Sequence, residues 1–255
     1  MRLIRTASAA EFEQCAADIV CARVLARPGV RLALPTGRTP LGLYMNLRLR
    51  CATELAALRA AHYVNLDEYL GLAPTDTRSY AHFLHRQVFD PLGVKPSQLR
   101  LLRGDAADAQ IECAQVESEL QATGGIGLAI LGLGANGHIA FNEPGTPWNT
   151  PAHVATLSPE TLALNEHLGG GLPLPDRGLT LGIATLRGAR AVLLLAAGES
   201  KIEALSRLLQ GPAEAQWPAT SLIGHANLTV LCAPELSALL PAGSATAGPT
   251  AASVR

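Results

Sequence analysis

The sequence predicts an α/β fold: a single-domain, Rossmann-like, doubly wound and mostly parallel sheet with helices on both faces. Three observations predict it. The runs VRLALP (30–35), IGLAILGLG (126–134) and ARAVLLLAAG (189–198) are apolar without polar alternation, as strands covered on both faces are. Amphipathic stretches of helical length separate them, the order that produces parallel sheets. Residues able to carry chemistry gather just after these strands, where open α/β sheets collect their ligands.

The elements follow in order. Residues 9–27 read as an amphipathic helix closed by Pro28-Gly29. The strand 30–35 meets the turn-forming TGRT (36–39) and a helix beginning PLGLY, with Thr39 the expected N-cap and Pro40 its first residue. HYVNLDEY (62–69) reads as one strand ending in acids, SYAHFLHRQVFD (79–90) and IECAQVESELQAT (111–123) as helices. After the strand 189–198, ESKIEALSRLLQ (199–210) places Ile202, Leu205, Leu208 and Leu209 on one helical face, and HANLTVLCAPE (225–235) gives a last strand and turn. One domain over 1–240 is expected. Its segment 146–178 is rich in proline and glycine, and the small, polar tail 241–255 is expected to be disordered.

Composition excludes several classes. The 255 residues are 48% hydrophobic and 16% charged, enough to bury a sizeable core. A net charge of −1 without basic runs leaves no footprint for nucleic acid or an anionic membrane. Five cysteines, odd in number, widely spaced and without a C-x-x-C pair, argue against a disulfide framework or a zinc site and for a reducing compartment. Glu11 and Glu13 interrupt any secretory core, and the longest apolar runs fall short of the ~20 residues of a spanning helix. A soluble, cytoplasmic protein is expected.

Gly132, Gly134 and Gly137 fit the dinucleotide spacing G-x-G-x-x-G, with Glu160 about 20 residues further on, as a ribose contact would be. That reading needs a helix to open at the third glycine. HIAFNEPGTPWNTP, with three prolines, cannot supply one. Glu160, moreover, follows loop-like sequence rather than a second strand. What remains is His138 on a glycine-rich loop with Glu143 five residues on, either a structural histidine or a catalytic one. His82 and His85 share a helical face, but no third ligand supports a metal.

LALPTGRTPLGLY, NLDEYLGL with SYAHFLHRQVFDPLGV, LGLGANGHIAFNEPG, LTLGIATL and LLAAGESKIEAL together resemble the glucosamine-6-phosphate deaminase/isomerase family, over residues 30–232. The resemblance implies deaminating isomerisation of an amino-sugar 6-phosphate, without cofactor or metal. It implies that Asp67 is the base at C2, His138 the ring-opening residue, and Glu143 the carboxylate that orients and polarises the imidazole. Asn136 matches a position held by Asp or Asn. Thr36, Gly37, Arg38, Thr39 and Lys201 match the phosphate site, Arg38 replacing a small residue. The segment 146–178 resembles the family's mobile lid, but an arginine that commonly reaches the phosphate from it is missing. His167 stands near that place, and Arg177 is the proposed substitute contact. Galactosamine-6-phosphate deaminase, 6-phosphogluconolactonase and a non-catalytic sugar-phosphate sensor are the rival readings. The roughly 30 residues before VRLALP leave little room for the DNA-reading helices a sensor would carry. Oligomeric state stays open.

Overall fold

A computed structural model describes residues 1–165 and 172–240. It opens with β1 (Arg2–Arg5), followed by α1 (Ala9–Ala26), whose N-terminus is closed by the Ser8 hydroxyl accepting from the Glu11 amide. β2 (Arg31–Leu34) leads to α2 (Leu41–Arg48) and α3 (Ala52–Ala60). Thr39 does not cap α2. Pro40 occupies the N-cap position and no side chain bonds there, so the turn before it keeps its amides for something else.

HYVNLDEY is not one strand. β3 (His62–Asn65) ends, the chain turns at Leu66, and β4 (Asp67–Tyr69) begins in a different sheet. Asn65 makes the turn: its amide nitrogen donates to Asp67 O at 2.8 Å, while its oxygen accepts from Leu102 N at 2.8 Å. The next helical run is α4 (Tyr80–Leu84) and α5 (Asp90–Leu92), joined by a π-helical turn, His85–Phe89. β5 (Leu99–Arg100), α6 (Ala109–Ala122) and β6 (Leu128–Gly132) follow. The proline-rich stretch holds β7 (His153–Thr156) and α7 (Pro159–Asn165), then β8 (Arg177–Thr180). The chain closes with α8 (Ile183–Arg187), β9 (Val192–Ala196), α9 (Ile202–Gln210), β10 (Leu228–Cys232) and α10 (Pro234–Leu239). Among the described residues no helix is long and apolar enough to cross a membrane.

Among the described residues the main sheet has seven strands in the order β1-β10-β9-β6-β2-β3-β5, and every pairing in it is parallel. Its strands feed alternate residues to opposite faces. Leu32, Leu34, Ile130, Leu193 and Leu195 join α1 and α2 in one core, and Ala33, Ala129, Leu131 and Leu194 join α6 and α9 in the other. Each fully buried leucine stabilises by about 1.5–3 kcal/mol, which explains why these strands tolerate no polar alternation. The chain runs outward from β2 through β3 to β5, then returns to place β6 on the other side of β2. That reversal opens a crevice beyond the carboxyl ends of β2 and β6, the place where such sheets bind ligands. The fold is the single-domain α/β architecture expected. A small antiparallel sheet, β4-β8-β7, adds a floor beside the crevice.

Candidate active site

The crevice is a cavity of about 420 Å³, within the usual size range of small-molecule sites. The turn Thr36–Thr39 after β2, Asp67 at the start of β4, His138 after β6 and Lys201 after β9 all line it. Four sequence segments separated by tens of residues thus meet at one switch point.

Asp67 and Glu68 are neighbours with opposite environments. Glu68 is 1% exposed and accepts from the amides of Tyr69, Tyr80 and Ala81 and from the Ser79 hydroxyl, at 2.7 to 2.9 Å. It closes the N-terminus of α4; burial still raises its pKa, with these hydrogen bonds opposing. Asp67 is 6% exposed, lines the cavity, and among the described residues no hydrogen bond reaches its carboxylate. Burial, reinforced by the nearby Glu68 charge, pushes its pKa well above the ordinary carboxylate range. Desolvated carboxylates make stronger bases.

The glycine-rich loop serves the histidine. A Cβ at Gly134 would lie 2.4 Å from His138 Nδ1, and one at Gly137, which sits at φ +82°, would lie 2.9 Å from the Trp217 ring. No helix opens after Gly137. Glu160 does follow a strand, β7, but it is exposed on α7. Of the three glycines in the dinucleotide spacing, Gly134 makes room for the imidazole, Gly137 takes a positive φ against Trp217, and Gly132 faces open space.

Burial lowers the His138 pKa to about 4, with Lys201 pushing the same way and Glu143 opposing; at neutral pH the ring is uncharged. Among the described residues Glu143 makes no hydrogen bond to the ring. Its oxygens accept from Asn136 Nδ2 and from Ser158 N, each at 3.1 Å, because the turn at Pro144-Gly145 directs it toward α7. Its charge acts on the ring through space. Asn136 holds the loop instead, its Oδ1 accepting from the His138 amide at 3.1 Å. The imidazole Nδ1 meets the Thr161 hydroxyl at 3.2 Å.

One residue ties both halves of the site together. Thr180 pairs with Asp67 across the small sheet, and its hydroxyl accepts from the Phe141 amide at 3.2 Å and donates to Leu181 O at 3.1 Å. Phe141 then packs on Tyr69 and Tyr80, with ring centroids 5.2 and 5.6 Å away. Asp67 and His138 are thereby fixed in one frame.

The cavity also carries positive charge. Gly37 adopts φ +88°, and among the described residues the amides of Gly37, Arg38 and Thr39 have no acceptor. Such a run of free N–H groups suits an anion. Arg38 is exposed but borders the cavity. Lys201 is half-buried and desolvation lowers its pKa. Among the described residues no carboxylate pairs with Arg38 or Lys201.

Arg177 is a correction. It is exposed at the start of β8, paired with Thr156, and does not line the cavity. Thr180, at the other end of β8, is the residue paired with Asp67, and Arg177 lies roughly 10 Å along the strand from it at about 3.4 Å per residue. His167 and the tail 241–255 lie outside the described residues. Tyr80 and Thr161 were not anticipated as site residues. Tyr80 lines the cavity beside Thr36 and Asp67, and its place in the SYAHFL segment directly after NLDEYLGL was the available signal.

Comparison with known proteins places the chain in a family. Residues 4–231 match the model of the glucosamine-6-phosphate isomerases/6-phosphogluconolactonase family. A glucosamine-6-phosphate deaminase of Geobacillus sp. (strain WCH70) is 37% identical over 242 residues, covering 94% of this chain and 96% of its own. Glucosamine-6-phosphate deaminase 1 of Bacillus subtilis (strain 168) is 36% identical, covering 94% and 100%. The structure of a monomeric glucosamine-6-phosphate deaminase superposes with a TM-score of 0.89 at 35% identity, over 94% of this chain and 100% of that one. A 6-phosphogluconolactonase from Trypanosoma brucei shares the fold at 19% identity, with a TM-score of 0.78 over 94% of this chain and 98% of that one. With the family model spanning nearly all of the sheet and both strand-end loops that build the cavity, this chain belongs to the glucosamine-6-phosphate isomerase/6-phosphogluconolactonase family.

Proposed function

We propose that the protein converts glucosamine 6-phosphate and water to fructose 6-phosphate and ammonia. The observation that carries this reading is a desolvated carboxylate and a neutral imidazole lining one cavity together with Lys201 and Arg38. The phosphate sits on the free amides of 37–39 with Lys201 and Arg38, and the reacting end of the sugar reaches Asp67 and His138. His138 moves a proton between the anomeric hydroxyl and the ring oxygen, opening the ring. Asp67 removes the C2 proton beside the aldehyde and returns a proton to C1, turning the C2 amine into an iminium. Water adds to that carbon and ammonia leaves, giving the ketose. A lactonase would need no base at C2, and Asp67 held desolvated against the cavity favours the deaminase. The five cysteines are free, which suits a reducing interior such as the cytoplasm.

The test is a parallel assay on glucosamine 6-phosphate, galactosamine 6-phosphate and 6-phosphogluconolactone without added metal or nucleotide. Ammonia and ketose release is expected from glucosamine 6-phosphate at the highest kcat/KM. Faster release from the galactosamine epimer would transfer the assignment to that branch, and acid release from the lactone alone would overturn it.

A further inference from the structure

His138 receives its side-chain support from a helix that the sequence places 23 residues away. Ser158, just before α7, accepts from the Thr161 amide at 3.2 Å and donates its hydroxyl proton to Thr161 Oγ1 at 3.1 Å. Thr161 is 1% exposed. Its hydroxyl lies between two polar partners, Ser158 Oγ at 3.1 Å and His138 Nδ1 at 3.2 Å. With Ser158 as donor to Thr161, the chain runs Ser158 to Thr161 to Nδ1.

We propose that Thr161 is a positioning residue for ring opening, one that holds His138 as the Nε2–H tautomer and so leaves a proton-bearing nitrogen for the sugar. This rests on the deaminase reading above. With Nδ1 committed to Thr161, Nε2 can donate to the ring oxygen while the anomeric hydroxyl gives up its proton, and the same nitrogen is restored at the end of the exchange. The ring occupies the space beside Gly134, where a Cβ would meet its Nδ1, Cγ and Cε1. Glu143 contributes by fixing Ser158 N at 3.1 Å. It reaches the histidine through the chain Glu143, Ser158, Thr161 rather than by a direct hydrogen bond. The tautomer of a histidine is set by the bond its other nitrogen makes, and here that bond comes from α7.

Thr161→Val removes the hydroxyl at nearly constant volume, and Thr161→Ser restores it. Long-range proton–nitrogen NMR of histidine-labelled, ligand-free protein is expected to show Nε2–H for His138 in the wild type and in Thr161→Ser. Thr161→Val should give a mixture of tautomers. In the ammonia assay kcat should fall about tenfold in Thr161→Val with KM within about twofold, and Thr161→Ser should recover most of it, since general acid catalysis is worth about 10²–10⁴ in all. An Nδ1–H ring in the wild type, an unchanged tautomer in Thr161→Val, or an unchanged kcat overturns the role. Absence of wild-type turnover on any amino-sugar phosphate is a different failure: it removes the deaminase reading, while the spectrum still decides the tautomer.

Discussion

Asp67→Asn is expected to lose turnover by about 10²–10⁴-fold, the usual worth of a positioned base, and to melt a few degrees higher than the wild type near neutral pH. Both effects come from the same burial. The folded-state pKa of Asp67 is raised well above its ordinary value, so the fold binds that proton more tightly than the unfolded chain does. Stability is then lost as pH rises from the ordinary carboxylate range through the raised pKa, and the full penalty is present above it. Asparagine, with no charge to desolvate, escapes that penalty. The same raised pKa places the acid limb of kcat above the ordinary carboxylate range, because only ionised Asp67 can take the C2 proton. Ammonia release and thermal melts across pH check the pair. A variant with full turnover, or one that melts lower at neutral pH and higher in acid than the wild type, contradicts the account of Asp67.

Gly134→Ala is expected to cut kcat by about 100-fold while leaving the fold standing. The added methyl carbon would lie 2.4 to 2.6 Å from three atoms of the His138 ring, and a displacement near 1 Å at a reacting group can cost about 10²-fold. Gly134 does not need positive φ, so the backbone accepts alanine and the clash falls on the ring alone. Overpacking of this kind costs about 1–3 kcal/mol, seen as a modest fall in melting temperature. Retention of full activity would show that the ring has room to yield and that its placement matters less than proposed.

The parts of the fold that were legible are those whose side chains face apolar surroundings on both sides. β2, β6 and β9 announce themselves because Leu32, Ala33, Leu34 and their counterparts have a core on each face. HYVNLDEY misled for a physical reason. Both halves have strand-like composition, and the break at Leu66 is made by Asn65 bonding Asp67 and Leu102, the latter a partner 37 residues away. β7 and β8 were hidden because each is short and completed only by pairing, β8 with β4 and β7 with β8. β1 and α3 carried no motif to draw attention to them.

The site divides along the same line. Asp67, His138, Lys201 and the 36–39 turn stand in contiguous motifs at strand ends, so reading the motifs located them. Orientation did not follow from motif membership. Glu143 is five residues from His138 yet bonds Asn136 and Ser158, whereas Thr161, 23 residues away, holds the ring. Arg177 was chosen by nearness in sequence, and strand direction carries it out of the cavity. Distance along the chain is a poor guide once a helix folds back over a loop.

The account depends most on Asp67 and His138 acting on one sugar. The direct measurement is a crystal structure of Asp67→Asn with an open-chain amino-hexitol 6-phosphate, which binds but cannot react. It should show the phosphate on the amides of 37–39 and Lys201, C2 beside residue 67, and the C1 end within hydrogen-bond reach of His138 Nε2. An analogue bound with its phosphate elsewhere, or touching only one of the two residues, would contradict it.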